Sequence, residues 1–160
     1  MGFIDTSKVS GLSRFYNVAS AVGQYCPNKP DDTRLVQYML FHFYKHFPAA
    51  KPNGYLSIDG LCGPATINWI LRFQLDVRAS GHSVYADKRA DRCRNAGGVG
   101  SITGTVYTIL WLNHALKSYD RAAFNMIPQQ VPLTPVGSVP PPGVDWVTPP
   151  PLVVPETGGG

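Results

Sequence analysis

Residues 58–74 read Ile58-Asp59-Gly60-Leu61-Cys62-Gly63-Pro64-Ala65-Thr66-Ile67-Asn68-Trp69-Ile70-Leu71-Arg72-Phe73-Gln74, passing from turn chemistry to helical periodicity within a few positions. Asp59-Gly60 predicts a tight turn, because glycine reaches backbone angles that a side chain would obstruct and the aspartate can accept backbone N–H bonds. Pro64 stands where a helix starts and where its missing N–H is no loss, so a helix is predicted from Gly63-Pro64 onward. Ile67, Ile70, Leu71 and Phe73 give that helix a buried face, and it is expected to fade at Asp76. Thr66 can bond within the first turn. The stretch is therefore first of all a folding signature.

Upstream, the turn-rich run Cys26-Pro27-Asn28-Lys29-Pro30-Asp31-Asp32 gives way to another helical pattern. Asp31 or Asp32 is expected to cap it, Leu35, Val36, Met39, Leu40, Phe43 and Phe47 share one side, and Pro48 stops it. Lys45 and His46 fall in its last turn, where positive charge suits the helix dipole. The loop that follows, 48–57, carries Asn53-Gly54 as its strongest turn signal.

Downstream, residues 77–101 form a polar, glycine-rich excursion containing Lys88, Arg89, Arg92 and Arg94 with Asp87 and Asp91 interleaved. Loops of that length are usually functional or mobile. A third helix is expected over 103–117, with Ile109, Leu112 and Leu116 on one side, and a short fourth over 120–126. Pro128 is expected to end regular structure. Beyond it the chain reads as polyproline II or irregular.

The chain has 160 residues, enough for one core of ordinary size. With 15% charged against 44% hydrophobic residues, it cannot be a solvated disordered polymer along its whole length. Nine of its 15 prolines lie beyond residue 130, so the helix breakers are concentrated in the tail. All 14 basic residues precede that tail, which leaves the folded part mildly basic, as suits an acidic surface such as a bacterial wall. The N-terminal stretch shows no basic leader followed by an apolar run, so no signal peptide is expected. No membrane span is expected either. Cys26, Cys62 and Cys93 sit at no metal-ligand spacing and fit either reduced thiols or one bridge with one thiol left over.

Leu35-Val36-Gln37 with Leu40, then Asp59-Gly60 and Gly63-Pro64-Ala65-Thr66, then Phe73-Gln74, resemble the small three-helix peptidoglycan-binding domain family. Its pattern is close to L-Q-x-x-L, D-G-x-x-G-x-x-T and F-Q. Thr108, Leu112 and Asn113 look like its closing segment, and Val22-Gly23 with Asn28 is similar to a subgroup of proteobacterial wall-acting proteins. The resemblance implies an all-α fold, a compact three-helix domain over 28–127. Around it stand an N-terminal extension over 1–27, a long basic loop insertion and an extended Pro-rich arm over 128–160. It also implies bacterial peptidoglycan as a partner, with Asn53, Tyr55, Asp59 and Arg72 as candidate contacts for wall sugar or peptide.

Catalysis is not expected. Glycoside hydrolysis needs two placed carboxylates, one with a raised pKa, yet the one glutamate is Glu156 in the tail. His42 and His46 are four apart on a helix, but no glutamate follows His42 and no third ligand announces itself, so they read as solvated face residues. No metal or cofactor is expected. Cys62 reads as a packed thiol. Cys93 lies between Arg92 and Arg94, which would lower its pKa if it were exposed, and it is a candidate bridge partner for Cys26. The basic run 88–94 has Tyr85 as its one nearby stacking partner, so nucleic acid is set aside.

These readings converge on a non-catalytic peptidoglycan-binding-like protein, a structural or host-wall-contacting component of a phage virion. Its arm is expected to be held against its own domain or a neighbouring subunit through Val144, Trp146, Leu152 and Val153. The alternatives are a pure scaffold that uses the fold for subunit contacts, or the targeting module of a wall hydrolase whose catalytic half lies on another chain.

Overall fold

The structure is a computed structural model that describes residues 1–9, 12–94 and 106–134. In chain order its elements are β1 (Gly2–Val9), β2 (Leu12–Asn17), β3 (Val22–Gly23), α1 (Pro30–Lys45) and α2 (Pro64–Ala79). There follow β4 (Arg89–Ala90), α3 (Thr108–Tyr119), α4 (Arg121–Asn125), α5 (Ile127–Gln130) and β5 (Leu133–Thr134).

The all-α expectation is overturned at the N-terminus. β1 and β2 form an antiparallel hairpin in which Phe3 stands opposite Asn17 and Asp5 opposite Phe15. β5 joins β1 in parallel, Gly2 opposite Leu133, giving the sheet order β2-β1-β5. A second small sheet pairs β3 with β4, Val22 opposite Ala90. The fold is mixed α and β. Periodicity hid the second strand because Phe15, Tyr16, Asn17 and Val18 are all buried, so the alternation of a half-buried strand is missing.

One core joins the hairpin to the helices. Leu12 and Phe15 from β2, Leu35, Val36, Met39 and Leu40 from α1, Ile70 and Phe73 from α2, and Ile109, Leu112 and Leu116 from α3 pack in a single cluster. Each such side chain contributes roughly 1.5–3 kcal/mol through removal from water. Polar ties cross the same core: the Tyr38 hydroxyl donates to Ala123 O at 2.8 Å, and the Tyr44 hydroxyl to Asp76 Oδ2 at 2.5 Å.

Several helix boundaries differ from expectation. α1 opens at Pro30 with Lys29 preceding it, and neither aspartate caps it. Asp32 is fully buried and accepts the N–H groups of Ala19 and Ser20 instead, joining the chain after β2 to the helix, while Asp31 pairs with Arg34. Burial pushes the Asp32 carboxyl above its ordinary pKa. α2 continues past Asp76 to Ala79, with Trp69 and Val77 buried and Leu71 only half so. Side-chain area explains this, since Trp69 covers more of the core than Leu71 could.

The basic excursion is not a solvated loop throughout. It contains the end of α2, then β4, then the buried Arg92 and Cys93, and Val84 bridges Val106 at the entrance to α3. α3 begins at Thr108 rather than 103. Pro128 does not end regular structure: it lies at the start of α5, where a proline is tolerated, and β5 follows. The arm contacts proposed for Val144, Trp146, Leu152 and Val153 lie outside the described residues. Among the described residues no helix is long and apolar enough to cross a membrane.

Candidate functional site

The turn at Asp59 is built around one buried side chain, Gln37 of α1. Gln37 Oε1 accepts the N–H groups of Asp59 at 3.1 Å and Gly60 at 2.9 Å. Its Nε2 donates toward Leu61 O and Thr66 Oγ1, both at 3.0 Å, and Asp59 Oδ1 at 3.2 Å. Asp59 Oδ1 also accepts the Leu61 N–H at 2.9 Å, which leads the causes holding this carboxyl below its ordinary pKa. Gly60 has φ +79°, and a Cβ there would stand 2.9 Å from Pro30 O. Glycine is required twice over, by backbone angle and by space.

The same device recurs one helix later. Gln74 of α2 accepts the Lys88 N–H on Oε1 at 2.9 Å. Its Nε2 donates toward Arg89 O and Thr108 Oγ1 at 2.9 Å and Asp87 Oδ1 at 3.0 Å. Asp87 Oδ1 in turn accepts the Arg89 N–H at 3.0 Å. Position by position, Gln74, Asp87, Lys88, Arg89 and Thr108 repeat Gln37, Asp59, Gly60, Leu61 and Thr66. Lys88 takes the glycine's place with φ +64°. Sequence reasoning found Phe73-Gln74 and Thr108 but not their link, because a lysine hid the turn and the excursion separated it from α3.

Three asparagines act similarly, each pairing with both backbone groups of one residue. Asn28 takes the Gly23 N–H at 2.7 Å and returns a bond to Gly23 O at 3.0 Å. Asn17 holds Cys93 N and O at 3.1 and 2.8 Å, and Asn113 holds Tyr16 N and O at 2.7 and 2.9 Å. Buried backbone groups outside regular ladders need such partners.

The four candidate contact residues are arranged differently from one another. Asn53 and Tyr55 are exposed on the loop between α1 and α2, with Tyr55 76% accessible. Asp59 is engaged within its own turn. Arg72 is exposed on α2 and its Nε lies 3.2 Å from Asp76 Oδ1. No hydrogen bond or ion pair among the described residues joins Asn53, Tyr55 and Arg72. The most exposed aromatic side chain described, Tyr25, was not a candidate: it is 93% accessible and has φ +59° in the turn closed by Cys26 N–H to Gly23 O. An aromatic residue held in left-handed backbone and turned to solvent carries strain of the kind found at working surfaces.

Of the two histidines read as solvated, His46, which ends α1, is exposed and His42 is not. His46 Nε2 lies 2.9 Å from Asp120 Oδ2, while His42 is half-buried between the rings of Tyr38 and Phe41, its Nδ1 buried without a partner among the described residues. Burial and then Lys45 push the His42 pKa down. Asp120 also caps α4, its Oδ1 accepting Ala123 N–H at 3.0 Å. Tyr44 is driven well above the ordinary phenol range by burial and by its bond to Asp76. Cys93 is 2% exposed, so it is a buried thiol and not the exposed one considered between Arg92 and Arg94. Among the described residues no group of three or more His, Cys, Asp or Glu side chains could hold a metal ion.

Compared with protein-family models the chain matches none, and compared with curated proteins and with solved structures it again finds no match.

Proposed function

We propose that the chain is a non-catalytic binding module of the peptidoglycan-binding type, a structural or wall-contacting part of a phage virion. The observation that carries this reading is the Gln37 node. It holds the Asp59 turn from its buried side through bonds to Asp59, Gly60 and Leu61, while Leu61 in the turn and Asn53 and Tyr55 in the loop before it remain exposed. A turn fixed from its buried side presents groups to a ligand with little ordering left to do on binding. Its residues are also those on which the family resemblance rests.

The non-catalytic part of the reading is supported by where the carboxylates are engaged. Asp32 and Asp59 hold backbone N–H groups, Asp87 holds Arg89, Asp76 takes Tyr44 and Arg72, and Asp120 takes His46 and Ala123. Groups so engaged are positioned for structure rather than for proton transfer. The virion setting rests on the combination of a wall-type domain with an apolar, proline-rich arm, which suits a part built into a particle.

The test is co-sedimentation of the full chain with purified peptidoglycan sacculi. Retention that falls about tenfold on changing Asn53, Tyr55 and Arg72 to alanine, a loss of about 1.4 kcal/mol, supports wall contact. Absence of retention for the folded parent chain overturns it and leaves the scaffold reading.

A further inference from the structure

Three aromatic rings meet where the end of α1 comes beside the end of α3. The ring centroids of Phe43 and Phe47 are 5.0 Å apart, and Tyr119 stands edge-to-face with both, 5.8 Å from Phe43 and 4.9 Å from Phe47. Phe73 of α2 supports Phe43 from the core at 5.3 Å. The two phenylalanines are only half-buried and Tyr119 is 57% accessible, so the cluster keeps an outward side. Two exposed cations accompany it. Lys45 lies between the phenylalanines in sequence, and Lys51 gives its N–H to Phe47 O at 3.2 Å and enters no ion pair among the described residues. The chain leaves the described residues at Thr134 in β5. A Cβ at Gly2 would stand 2.8 Å from Leu35 Cδ2 and 3.2 Å from Leu133 Cδ2, so the arm sets out from beside the first half of α1.

We propose that the rings of Phe43, Phe47 and Tyr119 are a polyproline-recognition surface, and that its occupant is the run Pro140-Pro141-Pro142 of the chain's own arm. Reach selects this run. Phe43 lies eight residues beyond Leu35 on α1, a rise of about 12 Å, and the six residues from Thr134 to Pro140 extend over about 20 Å. Chemistry agrees with reach, since a proline run is already stiff, loses little freedom on docking and lays flat rings against aromatic ones. Charge agrees as well. The arm's charged residues are Asp145 and Glu156, both acidic, and Asp145 follows the run by three positions where Lys45 and Lys51 flank the rings. A tether this short holds the run near the rings at an effective concentration on the order of millimolar, which favours it over the arm of a second copy. The inference does not depend on what the Asp59 turn binds.

The test nitrates the tyrosines of the full chain with tetranitromethane and maps the modified peptides. Tyr85 is the internal reference, because it is 57% accessible, as Tyr119 is. Changing Pro140, Pro141 and Pro142 together to glycine should raise the nitration of Tyr119 relative to Tyr85 by about tenfold, as for an arm docked in about nine molecules out of ten. The substitutions lie outside the helices and the core, and circular dichroism checks that the variant keeps its helices. A benzophenone side chain placed at Val139 should cross-link on illumination to peptides carrying Phe43, Phe47 or Tyr119, within a monomer and to the same extent on dilution. An unchanged Tyr119 to Tyr85 ratio in the glycine variant overturns the proposal. Cross-links that fall elsewhere on the chain, or that join two chains and fade on dilution, overturn it too, the latter giving the surface to a second copy.

Discussion

Gly60 and Lys88 occupy the same place in two copies of one turn. Both have left-handed backbone, φ +79° and +64°, and each gives its N–H to the Oε1 of a helix glutamine at 2.9 Å. One position is filled by the residue that reaches this conformation freely and the other by one that does not.

Lys88→Gly should therefore stabilise the chain by about 0.5–1 kcal/mol, the relief of left-handed strain outweighing the added freedom of the unfolded glycine. Gly60→Ala should destabilise it by about 1–3 kcal/mol, since strain adds to the approach of Pro30 O. Urea unfolding with unchanged slope measures both. A drop on Lys88→Gly means that the lysine side chain contributes more than its backbone loses.

Gln37→Leu and Gln74→Leu each strip a buried turn of its side-chain partners, and about 2–4 kcal/mol should be lost from either. The distinguishing measurement is hydrogen exchange. In Gln37→Leu protection should fall at Gly60 while Lys88 keeps its own, and in Gln74→Leu the pattern should reverse. Uniform loss at both turns would show one cooperative unit instead of two nodes.

Asp120 gives a pH dependence of definite sign. Its bond with His46, ahead of the other causes, holds its carboxyl below the ordinary value of 3.8. Its contribution to stability is thus complete above the unfolded value and is lost as pH falls through the lower folded value. Asp120→Asn keeps a competent cap for α4, because asparagine and aspartate cap about equally well, but cannot gain from ionisation. The stability difference between parent and variant should shrink on titration from pH 5 downward. A difference that stays constant over that range would remove His46–Asp120 from the account of acid stability.

Tyr25→Gly should raise stability by about 0.5–1 kcal/mol, because the turn needs left-handed backbone and the ring is nearly all in solvent. If the strain is kept for contact, the same variant should lose retention on sacculi several-fold. Greater stability with undiminished retention would show that Tyr25 has no part in wall contact.

What the sequence by itself determined was local. Asp59-Gly60 and Gly63-Pro64 specified a turn and a helix start through backbone angles and a missing N–H, and Leu35, Val36, Met39, Leu40, Ile109, Leu112 and Leu116 showed their buried faces by spacing. Asp120 was legible as the start of α4 for the same reason, a side chain answering the nearest unpaired N–H groups. Tertiary structure decided what depends on partners distant in the chain. β2 is a strand although its pattern does not alternate, because core covers Phe15 and Asn113 satisfies the backbone of Tyr16. Asp32 has the residue type and place of a cap, yet it is drawn inward by Ala19 and Ser20. The second glutamine node needed Lys88 in a conformation that no residue preference foretells. Periodicity and turn chemistry act over a few residues, whereas burial and long-range hydrogen bonds are set only when separate segments meet.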